Sequence, residues 1–64
     1  MHTGIVKFFI EQKGFGFIQD SETNIEYFVH ITGLINKVKQ NDLVTFELKE
    51  GKKGENAVNV RLVG

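Results

Sequence analysis

Cysteine is absent from this 64-residue chain, so neither a disulfide nor a thiolate metal site can staple its fold. That absence fits a reducing compartment, and a cytoplasmic location is the expectation. Histidine is scarce as well: His2 and His30 alone are too few for a closed zinc site. No apolar run reaches the length of a membrane span, and Met1-His2-Thr3 does not open a signal peptide. Charge of one sign is lacking too, because 8 basic residues balance 8 acidic ones. The balance argues against gripping nucleic acid by bulk electrostatics alone, while leaving room for positive charge gathered on one face. The sole serine, Ser21, has no nucleophile-activating partners in view. Asp20, Glu22 and Glu26 match neither a metal site nor a catalytic pair, and Asp20 and Glu22 fall in a turn with nothing legible to shift their pKa usefully. No enzyme activity, small-molecule substrate, cofactor or membrane partner is expected, and a monomer is the default.

A chain this short buries roughly 60% of the surface its unfolded form exposes, so the core must be thin. No segment sustains helical apolar spacing over three turns, and little helix is expected. Short alternating runs separated by turn residues predict an all-β sandwich or barrel. The runs place strands at about 3–10, 14–19, 25–30, 42–50 and 56–62. A polar turn spans 20–24, a loop with a short helical turn spans 31–41, and a hairpin loop spans 51–54.

The last two strands alternate cleanly. Val44, Phe46 and Leu48 share one face, and Val58, Val60 and Leu62 share another, each opposite polar residues or alanine. Strands two and three differ, because both of their faces are apolar or aromatic. In Lys13-Gly14-Phe15-Gly16-Phe17-Ile18, two rings lie opposite two glycines, which suits a backbone that bends or approaches a neighbour closely. If Ile18 and Val29 join the core with Val44, Phe46, Val58 and Val60, then Phe15, Phe17, Phe28 and His30 lie outside. An exposed aromatic patch of that kind marks a binding surface. The competing reading makes Phe15, Phe17 and Phe28 simply core. Strand one carries apolar residues on both faces, which predicts a bulge or strong bend and leaves Phe8 unassigned; Phe9 is read as core or half-buried.

Rings bordered by lysines form a stacking platform for single-stranded nucleic acid, worth ~1–3 kcal/mol per base and tolerant of any sequence. Lys7 and Lys13 flank the rings, and Lys52 and Lys53 sit in a loop positioned to close over a backbone. Lys37 and Lys39 read as solvated charges first and contacts second. With about three lysines on phosphates, the log–log salt slope on a single strand is roughly −2, so stacking dominates. A rival class is a β-barrel protein-interaction module whose aromatic patch seats a peptide or partner domain.

Lys13-Gly14-Phe15-Gly16-Phe17-Ile18 and Tyr27-Phe28-Val29-His30-Ile31 resemble the two ribonucleoprotein motifs of the cold-shock domain family. Gly4-Ile5-Val6-Lys7-Phe8-Phe9 is similar to that family's first strand, and Gly54-Glu55-Asn56-Ala57-Val58-Asn59-Val60 to its last, so the resemblance covers nearly the whole chain. It implies one domain over residues 1–64, folded as a five-stranded antiparallel OB-fold barrel. The implied activity is binding of single-stranded RNA or DNA, as an RNA chaperone or a regulator of transcription and translation. The contacts it implies are Lys7, Phe8, Lys13, Phe15, Phe17, Glu26, Phe28, His30 and Lys53, with Glu26 standing where an aspartate often hydrogen-bonds a base.

Several positions depart from the family's pattern. Phe8 stands in place of tryptophan, Ile10 of a polar residue and Ile31 of an aromatic one. The loop over 35–41 is short and has no phenylalanine, and Glu55 replaces a proline in a chain that contains none. These departures predict a shorter stacking track and weaker binding than in fuller members. A thymidine heptamer titrated at physiological salt should therefore bind more weakly than nanomolar; a nanomolar Kd would contradict this reading of the departures.

Overall fold

Alternation at period two governs every long element, because each strand has one face inside a narrow barrel and one outside. The computed structural model describes residues 1–51 and 54–63. Its strands are β1 (His2–Ile10), β2 (Phe15–Asp20), β3 (Glu26–His30), β4 (Leu43–Gly51) and β5 (Gly54–Leu62), with a 3-10 turn at Ile31–Gly33 after β3. They close in the order β1-β2-β3-β5-β4, with β4 returning to β1. The all-β barrel is as the sequence predicts, but the sheet is not wholly antiparallel: β3 and β5 run parallel, pairing Phe28 with Asn56 and Val29 with Ala57. The reason is parity. An odd number of strands cannot alternate direction all the way round a closed ring, so five strands leave at least one parallel seam.

The core consists of Val6, Ile18, Val29, Val38, Val44, Phe46, Ala57 and Val60, with Phe9, Tyr27, Leu34 and Leu48 packed against it. Two register irregularities decide which residues enter it. In β1, Val6 pairs with Ile18 but Phe8 pairs with Phe17, so Lys7 is an extra residue without a partner. The bulge predicted for strand one is therefore at Lys7, and it turns Phe8 outward and Phe9 partly inward. In β5, Thr45 pairs with Arg61 and Glu47 with Val58, so Asn59 and Val60 together stand opposite Phe46. Asn59 takes a left-handed φ of 52°, the conformation a bulge of this kind uses and that asparagine tolerates. This switch corrects the expected face of β5: Ala57 and Val60 are buried, Val58 is only half-buried, and Leu62 is exposed at the barrel's end.

Residues after the 3-10 turn close the barrel's end. Val38 is buried there, a core residue that loop composition conceals. The loop is held by backbone bonds from Asn41 N–H to the Val6 carbonyl (2.7 Å) and from Val6 N–H to the Asp42 carbonyl (2.9 Å).

Asp20 also departs from expectation. It ends β2 almost fully buried, at 2% exposure, and its carboxylate accepts the N–H groups of Glu22 (2.8 Å) and Thr23 (3.3 Å) while meeting His2 Nδ1 at 3.0 Å. The His2 ring in turn stacks on Phe46 at 5.5 Å. The Glu22 N–H most of all, together with His2 and the Thr23 N–H, holds the Asp20 carboxyl below its usual 3.8 although burial pushes the other way. A carboxylate with a lowered folded-state pKa contributes stability that is complete above its unfolded value and lost as pH falls through the folded one. Urea midpoints should therefore fall between about pH 5 and pH 2 more steeply in the wild type than in Asp20→Asn, which keeps a capping oxygen but does not titrate. Parallel curves for the two proteins would contradict this role.

Candidate functional site

The outer face of β1, β2 and β3 carries the aromatic residues because the inner face is already filled. Gly14 just before β2, and Gly16, Ile18 and Asp20 on it, are buried, while Phe15, Phe17 and Gln19 are half-buried on the opposite side. Glycine at position 16 is required by close approach: a Cβ there would collide with the Phe8 carbonyl and lie 2.7 Å from Phe9 Cδ2. Gly14 has φ of 73°, a left-handed turn that brings Lys13 and Gly14 back to the Ile10 carbonyl through N–H bonds of 3.2 and 2.8 Å.

Register then sets the rings in rows. Phe8 pairs with Phe17 and Phe17 with Phe28, making one row across three strands; Ile10 pairs with Phe15 and Phe15 with His30, making the next. The rings touch in an unbroken chain. Phe8 and Phe17 have centroids 5.5 Å apart, Phe17 and Phe28 meet edge to face at 5.9 Å, and Phe28 and Phe15 stack at 5.9 Å. Each of Phe15, Phe17 and Phe28 leans on its neighbours and stays half-buried, while Phe8 is 37% exposed. The arrangement presents π-faces and edges to solvent already ordered, so a flat partner meets little further loss of side-chain freedom.

His30 is exposed and fixed by Thr32, whose backbone N–H donates to His30 Nδ1 at 3.2 Å and whose hydroxyl lies 2.9 Å from the same atom. A backbone N–H can only donate, so the neutral ring carries its proton on Nε2, a donor without a partner among the described residues. Glu26 is exposed on the same face of β3 as Phe28 and pairs with Gln19, one row beyond the rings. Lys7 projects from the bulge and Lys13 from the turn between β1 and β2; both are exposed, and neither enters an ion pair among the described residues. Lys53 and its neighbour Lys52 lie outside the described residues. Lys39 is exposed away from the rings' rows, its N–H donating to the Asp42 carboxylate. Lys37 rims a small recess of about 170 Å³ floored by Phe9, Leu34 and Val38.

Two residues outside the expected contact set extend the patch. Ile10, 37% exposed, completes the second row, and Ile31, 46% exposed, packs against Gly14. The signal for Ile10 is in the sequence once the bulge is placed at Lys7. Among the described residues no cluster of His, Cys, Asp and Glu could hold a metal ion, and no helix is long and apolar enough to cross a membrane.

The sequence matches the family model described as the 'Cold-shock' DNA-binding domain over residues 2–63. It is 38% identical over 64 residues to the major cold shock protein of Micrococcus luteus, covering 94% of this chain and 96% of that protein. It is 38% identical over 65 residues to a cold shock-like protein of Aquifex aeolicus (95% and 93% covered) and 40% identical over 67 residues to a cold shock protein of Arthrobacter globiformis (98% and 100%).

The ring chain also ties the site to stability. Phe28 makes two ring contacts and Phe8 one, and each aromatic pair is worth about 0.5–1.5 kcal/mol beyond area burial. Phe28→Ala should thus lower unfolding free energy more than Phe8→Ala, by about 1 kcal/mol in urea titrations. Equal losses would mean that the rings do not support one another.

Proposed function

The chain belongs to the cold-shock DNA-binding domain family, and on that premise we propose that it holds single-stranded RNA or DNA by stacking bases on Phe8, Phe15, Phe17, Phe28 and His30. The observation that carries this reading is the unbroken chain of four rings on one outward sheet face. A base needs only a π-face to stack, which makes the grip tolerant of sequence. Lys7 and Lys13 supply phosphate contacts beside the rings, with Lys53 a further one. Glu26 accepts a hydrogen bond from an exocyclic base amine.

Its action is competition with base pairing. A base stacked on protein is unavailable to a hairpin, so unwound RNA becomes less costly and misfolded pairings open. That is the work of an RNA chaperone and of a regulator of transcription or translation, done by a cytoplasmic monomer without a cofactor. One feature favours the rival reading of a peptide-binding module: Ile10 and Ile31 enlarge the patch with aliphatic surface that a base does not require.

The two readings separate in a titration of short oligo-U or oligo-T followed by amide NMR shifts. Changes centred on the ring face of β1, β2 and β3 and on the 51–54 loop support nucleic-acid binding; no shifts at millimolar oligonucleotide would overturn it. Phe15→Ala should weaken that binding by ~1–3 kcal/mol with the fold intact.

A further inference from the structure

The first ring row does not stop at β3. Phe28 pairs across the parallel seam with Asn56, and Asn56 pairs with Lys49 on β4. One register line therefore crosses all five strands, as Phe8, Phe17, Phe28, Asn56 and Lys49. Its character changes at the seam, from three rings to an amide and then an ammonium group. Alternation keeps both polar residues outward, since Leu48 and Ala57 beside them turn toward the core.

The seam itself opens into a groove. The parallel pairing lapses between Val29–Ala57 and the isolated bridge of Leu34 to Val60, where the 3-10 turn intervenes. The space left is about 290 Å³ and is lined by His30, Thr32, Lys49, Asn56 and Asn59 among others. Among the described residues no carboxylate lines it, in a chain with as many acids as bases. A second cleft, lined by His2, Tyr27, Glu47 and Glu55, takes acidic residues instead. Glu47 also stands on the outward face of β4, but it has a partner of its own in the Asn59 amide, which donates to it at 3.1 Å. Lys49 enters no ion pair among the described residues. Among the side chains that line the groove, Lys49 carries an ammonium group, and Asn56 and His30 each carry an N–H donor.

We propose that this groove is a phosphate subsite: it holds one backbone phosphate of the same single strand whose bases stack on Phe28 and His30, with Lys49 as the counter-charge. The inference rests on the platform reading and deepens it. Lys49 lies two strand spacings from Phe28, roughly 10 Å between backbones, within the combined reach of a lysine side chain and of a stacked nucleotide's own phosphate. The strand therefore leaves the rings over β5 and β4, rather than ending at β3.

Salt dependence of hexauridylate binding tests this directly, because each phosphate contact on a single strand contributes about 0.7 to the log–log slope. Lys49→Gln should make the slope shallower by about 0.7 and weaken binding several-fold at low salt, while Lys49→Arg keeps the wild-type slope. Thermal melts check that both variants fold. Should Lys49→Gln keep the wild-type slope while Phe15→Ala still weakens binding, the groove is not a phosphate subsite although the platform stands. A shallower slope in Lys49→Arg as well would also overturn it, since charge would not be the determinant. If the wild type binds no oligonucleotide, the platform reading fails and this inference with it.

Discussion

The outer face depends on how closely β2 lies against β1 at Gly16. Phe9 pairs with Gly16 there, and any side chain at position 16 would run into the Phe8 carbonyl and the Phe9 ring. With that side open, the two backbones approach, the Lys7 bulge takes up the misfit, and Phe8 swings outward beside Phe17 while Phe9 leans on the core. A larger residue at 16 would push the strands apart and break the first link of the ring chain. The glycines opposite the rings are thus the inner condition for the outer surface.

A barrel of five strands has little room inside, and among the described residues eight mostly small or branched side chains fill it. That leaves Phe15, Phe17 and Phe28 no place but the outside, where they half-bury one another. The same packing serves two ends. Mutual contact limits the apolar surface shown to water and fixes the rings for a partner. Net neutrality is compatible with the proposed stacking grip, which needs basic residues only where a backbone passes.

Legibility in the sequence followed the regularity of alternation. Strand positions, the outward placement of Phe15, Phe17, Phe28 and His30, and a bulge in the first strand all follow from which face already has its core residues. Position-by-position alternation fails where an extra residue enters. The left-handed Asn59 shifts Val58 out of the core and Ala57 into it, and nothing in the spacing of Val58, Val60 and Leu62 announces that. Val38 hides in a polar loop because its burial comes from loop closure over the barrel's end, not from periodicity. Asp20 reads as a turn residue, yet its partner His2 lies eighteen positions away and is brought to it by the β1–β2 pairing. The line from Phe28 to Asn56 and Lys49 needs the parallel seam, which a strand count implies but cannot locate.

The central claim is that bases lie flat against the outward rings. Intermolecular NOEs in a complex with uniformly labelled protein and oligo-U address it most directly. The account predicts contacts from uracil H6 and ribose H1′ protons to the ring protons of Phe8, Phe17 and Phe28, with the uracil protons shifted upfield by ring currents. Contacts confined to lysine side chains, with uracil shifts unchanged, would contradict it.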